Sequence, residues 1–379
     1  LKSQSSRSER PLVIISGYYG FDNLGDEAIL EELINELKRL VPANDILVLS
    51  KDPANTARIY GVQSANRFDT IEIFKLLFKA RLFISGGGGL FQDTTSSKSV
   101  VYYAALLFMA KLAGCPSMIY AQGVGPLKRP LSIAVAQKAF GTASQITVRD
   151  NRSYELLRSW RLEPVLTADP VWNLAEKQTN QAVSDYLSNT KAKYSFVVGL
   201  SLRESPHVNE QIVDRLAQIL KETLPANSYL VLLPLQATQD VALLKRAEET
   251  LTQLGLSCGF LPEAPGETAS QWLSMLDQID LLVGMRLHAL ILALKRGKPV
   301  VGIAYDPKVE HLMSEFNQTS LNLSDGAKED GREIWKEAIQ GTLLHIQEFA
   351  QKTIEKRQDL EKMACKNFAI LAKILGSAP

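Results

Sequence analysis

At 379 residues, with 46% apolar and 22% charged side chains, the chain is long enough for two hydrophobic cores and has the composition of an ordinary folded protein. Lys and Arg number 42 against 41 Asp and Glu; the resulting net charge of +1 excludes a general basic surface for nucleic acid or anionic lipid, so any electrostatic role must be local. Three scattered cysteines, Cys115, Cys258 and Cys365, have no metal-type spacing and cannot form a disulfide framework, which points to a reducing compartment.

The start, LKSQSSRSER, is polar and lacks the apolar stretch of a signal peptide, and no later run approaches the ~20 apolar residues that span a bilayer. It reads as the frayed start of a cytoplasmic protein. The pattern then alternates. LVIIS leads to a helix expected over 27–40, DILVLS to one near 53–60, ARLFISGGGG to one near 98–113, and PSMIYAQGVGP to one near 130–141. QITVRD, NRSYELLRSW and VLTADPVW complete the series. Apolar runs ending in glycine or polar turns, each followed by helical periodicity, are the signature of βαβ units and a parallel, doubly wound sheet.

A polar stretch over 173–193 reads as a linker with one helix, and a second alternation begins at YSFVVGLSLR. It continues through helices at 208–223 and 239–254, the strand SYLVLLPLQ, and LLVGMRLHALILALKRGKPVVGIAYDPK. The expected fold class is α/β, with two Rossmann-like domains of parallel sheets facing a cleft: an N-terminal domain at 12–172 and a C-terminal domain at 194–330. Residues 331–379 form a C-terminal helical segment, basic on one side and apolar on the other, which reads as packed on the domains in preference to a membrane surface.

Ligands of open parallel sheets sit beyond the carboxyl ends of the strands, so those turns carry the candidate chemistry. GYYGFDNLGDEAIL, residues 17–30, does not fit G-x-G-x-x-G, and no acidic residue ends the second strand, which excludes a nicotinamide cofactor. Free N–H groups at a helix start still suit an anion or sugar hydroxyls; Gly20, Asn23 and Asp26 are the contacts expected here, with capping by Asn23, Asp26 and Glu27 as the alternative. SGGGGLFQD, residues 85–93, offers bare backbone at Gly87 and Gly88 to an acceptor, or else only tight packing. Gln122 in YAQGVGPL is a further candidate for reaching the cleft.

Arg149 ends the strand ITV, where a guanidinium requires a partner: Asp150, Asp169, or a carboxylate or phosphate of a ligand. In GMRLHALILAL, Arg286 and His288 open an apolar helix, an arrangement that reads as a phosphate site with a titratable group beside it. Lys308 and Arg203 stand at the ends of two other strands of the same domain. No His, Asp or Glu cluster has metal-ligand spacing, so neither a metal nor a bound cofactor is expected.

From about residue 12 to about 320, GYYGFDNLGDEAIL, SGGGGLFQD, YAQGVGPL, VRDNRSYELL, ADPVW, GMRLHALILAL and GIAYDPKV occur in an order that resembles the polysaccharide pyruvyl transferase family, and within it the CsaB-like, cell-surface-anchoring branch. The resemblance implies a fold similar to GT-B glycosyltransferases and transfer of the enolpyruvyl unit of phosphoenolpyruvate, the co-substrate, to a sugar as a cyclic ketal. For that branch the acceptor is a β-linked N-acetylmannosamine of a lipid-linked cell-wall glycan precursor, which implies a cytoplasmic enzyme peripheral to the inner face of the plasma membrane. On matching positions Arg149, His288 and Lys308 resemble donor-site and catalytic residues, with Arg286 in support. His288 would protonate the methylene carbon, and Asp26 is a candidate for the base that takes the sugar proton, a role left open. A GT-B glycosyltransferase using a nucleotide sugar, or a non-catalytic glycan-binding protein on the same scaffold, would share these features.

Overall fold

The computed structural model describes residues 11–94, 96–205, 208, 210–262, 268–326 and 331–376. The frayed start expected over 1–10 lies outside them. The chain forms two compact units, one comprising residues up to 174 and from 360 onward, the other residues 175–359.

In the first unit the chain runs β1 (Leu12–Ser16), α1 (Leu24–Lys38), β2 (Ile46–Ser50), α2 (Pro53–Tyr60), β3 (Gln63–Asn66), α3 (Thr70–Leu77), β4 (Ala80–Ser85), α4 (Lys98–Leu112), β5 (Ser117–Gln122), α5 (Pro130–Phe140), β6 (Gln145–Val148), α6 (Asn151–Ser159) and β7 (Val165–Leu166). These strands form one parallel sheet in the order β3-β2-β1-β4-β5-β6-β7. Central strands such as ILVLS are buried at every position, because helices cover both faces. Ile14, Leu49, Phe83 and Ile119 pack on one side with apolar residues of α3 to α6; Ile15, Val48, Ile84 and Tyr120 pack on the other with α1. Helix starts are marked by side-chain caps: Asp52 accepts from the Asn55 N–H at 3.1 Å and Asp150 from the Ser153 N–H at 2.7 Å.

The second unit runs α7 (Gln181–Lys193), β8 (Phe196–Ser201), α8 (Glu210–Thr223), β9 (Ser228–Leu232), α9 (Ala237–Gln253), β10 (Ser257–Phe260), α10 (Ala269–Leu276), β11 (Leu281–Gly284), α11 (Leu287–Lys295), β12 (Val300–Ala304), α12 (Pro307–Glu315), β13 (Thr319–Asn322), α13 (Leu323–Gly326) and α14 (Gly331–Leu344). Its parallel sheet has the order β10-β9-β8-β11-β12-β13.

A final helix, α15 (Ile346–Ile374), begins in the second unit, while its residues from 360 onward belong to the first. Leu371 and Leu375 enter the first unit's core, Asn367 donates to the Ala168 carbonyl at 3.0 Å, and Arg81 donates to the Leu375 carbonyl at 2.7 Å. The helical segment expected over 331–379 is thus divided between the units at residue 360, and the apolar side of its last turns is core of the first. The stretch 173–193 carries α7, with Val183 and Leu187 buried, and belongs to the second unit beyond residue 174.

In both sheets the strand order reverses once, between β1 and β4 and between β8 and β11. The connections on either side of such a point diverge and leave a crevice at the carboxyl edge, the place where open α/β sheets bind ligands.

Candidate functional site

At the reversal point of the second unit, Arg203 follows β8, and Met285, Arg286 and Leu287 lead from β11 into α11. The two arginines have different surroundings. Arg286, 5% exposed, is bound by the fully buried Asp240 of α9: its Nε donates to both carboxylate oxygens at 3.1 Å, and Nη2 completes the ion pair. Asp240 also accepts from the backbone N–H groups of Leu235 and Gln236 at 3.0 and 2.9 Å, so its oxygens are spent on holding the start of α9 and Arg286 together. Arg286, expected to turn its charge to a ligand phosphate, is thus paired through Nε and Nη2 with a carboxylate of the same unit.

Arg203 is half-buried and has only neutral partners among the described residues. Nη1 donates to the Tyr305 hydroxyl at 3.0 Å, Nη2 to Gln239 Oε1 at 3.0 Å, and the guanidinium lies 5.3 Å from the centre of the Tyr305 ring. Its Nε, buried, has no hydrogen-bond partner. Gln239 Oε1 also lies 3.5 Å from Arg286 Nη2, which links the two guanidinium groups through one amide.

His288 is half-buried in the first turn of α11. That turn has no acidic residue, and its cap position, Arg286, supplies no side-chain hydrogen bond, so the positive end of the helix dipole is not offset locally. Lys308 occupies the first turn of α12, after β12, where its N–H donates to Asp306 at 2.8 Å. Arg203, His288 and Lys308 thus stand beyond the ends of three adjacent strands, β8, β11 and β12, of one sheet.

The reversal point of the first unit has the opposite character. Asn23 caps α1, accepting from the Gly25 N–H at 3.3 Å and donating to Asp26, and Asp26 and Glu27 fill the first turn. These groups quench the dipole that would attract an anion. Burial pushes Glu27 up to about 7, against the lowering effect of hydrogen bonds from the Gly20 N–H at 2.8 Å and the Tyr60 hydroxyl at 2.9 Å. The crevice itself is filled by Tyr19, which is fully buried. A Cβ at either Gly17 or Gly86 would collide with its ring or hydroxyl, so the glycines after β1 and β4 are required by a side chain of this chain.

The remaining candidates of this unit support the same loops. Gly20 has a φ of +75° and its N–H is used by Glu27. A Cβ at Gly87 would lie 2.9 Å from Ile29, and one at Gly88 2.9 Å from Asp26 Oδ1. Gln122 is fully buried and donates to the carbonyls of Gly88 and Gly123 at 2.6 and 3.2 Å. Further bonds from Gly123 N–H to Gly88, Gly125 N–H to Phe91 and Asp93 N–H to Pro126 zip the glycine loop to the loop after β5. Asp93 then accepts from the N–H groups of Lys128 and Arg129, both at 2.8 Å. Arg149 takes Asp169 as its partner in an ion pair with side-chain exposures of 8% and 5%, while Asp150 caps α6. Sequence reading did not find Asp240, Asp93, Tyr19 or Arg67, none of which stands in a recognisable spacing with its partner.

Two α/β units, each a parallel sheet whose strand order reverses once, define a GT-B-like architecture, and solved structures agree. A putative UDP-N-acetylglucosamine 2-epimerase from Listeria monocytogenes aligns with a TM-score of 0.66 at 10% identity, over 97% of each chain. HepE of Anabaena in complex with UDP and glucose aligns at 0.62 with 16% identity, over 96% of this chain and 99% of its own. The UDP-GlcNAc 2-epimerase from Neisseria meningitidis bound to UDP-GlcNAc gives 0.61 and 11%, with coverage of 96% and 99%. No curated protein matches the sequence. The chain belongs to the polysaccharide pyruvyl transferase family, whose model matches residues 23–307; it is therefore placed among transferases of polysaccharide pyruvylation.

Proposed function

We propose that the protein transfers the enolpyruvyl unit of phosphoenolpyruvate to a sugar of a lipid-linked glycan, N-acetylmannosamine in the CsaB-like reading, forming a cyclic pyruvate ketal and releasing phosphate. The observation that carries this is the contrast between the two reversal points: Arg203, with only neutral partners among the described residues, beside the uncapped, acid-free start of α11, against the capped and acidic start of α1. An anionic donor suits the second unit, and the neutral hydroxyls of an acceptor suit the first.

In this mechanism Arg203 and Lys308 hold the donor's carboxylate and phosphate. His288 delivers a proton to the methylene carbon, leaving a cationic C2. A sugar hydroxyl attacks C2 and passes its proton to a carboxylate, for which Asp26 is the candidate. A second hydroxyl of the same sugar then displaces phosphate from C2: its oxygen forms the new C–O bond that closes the ketal, its proton passes to the departing phosphate, and the phosphate leaves with the bonding electron pair. Arg286 and Arg149, each on a carboxylate, are assigned to positioning. The acceptor's lipid implies peripheral work at the inner face of the plasma membrane; among the described residues no helix is long and apolar enough to cross a membrane.

The test is phosphate release from phosphoenolpyruvate with a panel of N-acetylated amino sugars and their lipid-linked forms. Acceptor-dependent release supports the reading. Turnover of a UDP-sugar with none of phosphoenolpyruvate would replace it with glycosyl transfer, and binding of acceptors without either reaction would leave a glycan-binding protein.

A further inference from the structure

Arg67, one residue beyond β3, is 5% exposed, as deeply buried as Arg286. Arg286 and Arg149 each sit on a buried carboxylate. Arg67 does not: among the described residues no Asp or Glu lies within ion-pair distance of it. Its Nη1 donates to the Gly17 carbonyl at 2.8 Å and its Nη2 to the Tyr103 hydroxyl at 3.2 Å, while Nε, buried, has no partner. The charge is surrounded by rings instead, with the guanidinium carbon 4.7 Å from the centre of Tyr102, 5.0 Å from Phe21, 5.5 Å from Phe68, 5.7 Å from Tyr103 and 6.0 Å from Tyr18.

Ring faces attract a cation but accept little from its N–H donors, so this cage holds the charge without neutralising it. The rings are not all core. Phe68 is 61% exposed, Tyr18, Phe21 and Tyr102 are half-buried, and Tyr18 stacks on Phe21 with centroids 4.0 Å apart. The exposed Lys51, after β2, places a second cation 5.0 Å from the Phe21 ring. Tyr102 returns a hydrogen bond to the Arg67 carbonyl at 2.8 Å, and the Gly17 backbone that accepts from Arg67 packs closely on the fully buried Tyr19 ring.

We propose that this aromatic cage of the first unit is a subsite for an anionic glycosyl unit: a sugar whose C–H face stacks on the exposed rings and whose oxyanion, a carboxylate or a phosphate ester, is held by Arg67 with Lys51 in support. Guanidinium and oxyanion form charge-assisted hydrogen bonds, and the surrounding rings keep water away from them. The proposal rests on reading the first unit as the acceptor side and adds that the acceptor, or the unit beside the pyruvylated sugar, is charged.

Calorimetric titration of the full chain with glucuronic acid, glucose 1-phosphate and glucose tests it, using the native protein and the variants Arg67→Gln, Lys51→Gln and Phe68→Ala. The native chain should bind at least one of the anionic sugars about tenfold or more tighter than glucose, the preferred one revealing whether carboxylate or phosphate is the natural group. Arg67→Gln should abolish the preference, Lys51→Gln should reduce it severalfold, and Phe68→Ala should weaken the anionic sugar severalfold. Equal binding of charged and neutral sugars by the native chain would overturn the subsite, as would a preference that survives Arg67→Gln. Should Arg67→Gln fail to fold, an unchanged preference in both exposed-residue variants overturns it instead. Phosphate release from phosphoenolpyruvate, assayed in parallel, separates the two readings: anion preference without turnover keeps the subsite and removes the pyruvyl transfer, and turnover without preference does the reverse.

Discussion

Asp240 binds Arg286 through both carboxylate oxygens in a pair that is nearly inaccessible to water. Removing one partner of a buried pair leaves an uncompensated charge, a loss of about 3–5 kcal/mol. Asp240→Asn and Arg286→Gln should each lower unfolding free energy by about that amount, and the double variant should lose clearly less than the sum. Urea denaturation of the four proteins measures the coupling. Additive losses would show that the pair is not the unit it looks to be, and Arg286 would return to the list of donor contacts.

Donor chemistry is then divided between Arg203 and His288. His288→Gln keeps size and a hydrogen-bond donor but cannot deliver a proton near neutral pH, so turnover should fall by roughly 10²-fold or more with donor affinity nearly unchanged. Arg203→Gln removes a charge held by the Tyr305 hydroxyl and the Gln239 amide and should weaken phosphoenolpyruvate binding by about 1.5–3 kcal/mol. Binding should also weaken with salt and survive EDTA, since side chains and backbone hold the donor in this proposal. Kinetics and titration of the two variants check the split; a His288→Gln protein with native turnover would move the acid to Lys308.

Glu36 of α1 is 2% exposed; burial pushes it up to about 8, opposed by the hydrogen bond it accepts from the Tyr120 hydroxyl at 2.6 Å and, more weakly, by the Arg39 charge. Its folded pKa lies above the unfolded value, so the folded chain binds the extra proton. The stabilisation is complete below about pH 4.5 and is lost as pH rises through about 8, at up to about 1.4 kcal/mol per pH unit. Glu36→Gln should flatten the fall of melting temperature between those limits. An unchanged slope would mean that Glu36 is ionised in the folded protein at neutral pH.

Both sheets were legible where apolar runs ended in turns, because a strand buried on two faces leaves a continuous hydrophobic stretch. The strands QSAN, SCGF and TSLN escaped notice because each is short, lies at a sheet edge and buries few side chains. Helix α1 starts at Leu24, ahead of the expected 27, since its cap is Asn23 and not a later residue. Strand-end arginines were recognisable as needing partners, but Asp240 lies 46 residues from Arg286 and no spacing rule joins them. The cage of Arg67 was equally hidden, being assembled from residues after β1, after β3 and on α4. Glycines were visible as sites of close approach; what approached them, the ring of Tyr19, was not.

That ring allows a sharp test of why two glycines stand at this crevice. A Cβ at Gly86 would meet chiefly the Tyr19 hydroxyl, with the Ser16 carbonyl at 3.0 Å and the ring carbon bearing the hydroxyl at 3.2 Å as the next contacts. A Cβ at Gly17 would strike the ring carbons themselves. Each alanine substitution should therefore cost about 1–3 kcal/mol by overpacking. Tyr19→Phe deletes the hydroxyl, which is buried without a hydrogen-bond partner, so alone it should be close to neutral. Combined with Gly86→Ala it should restore most of the lost stability, whereas combined with Gly17→Ala it should restore little, because the colliding carbons remain. Thermal melts of the six proteins, including the native chain, decide the matter: rescue of neither alanine would show that the glycines are required for backbone conformation and not for the ring, and equal rescue of both would show that the hydroxyl alone is what both Cβ atoms meet.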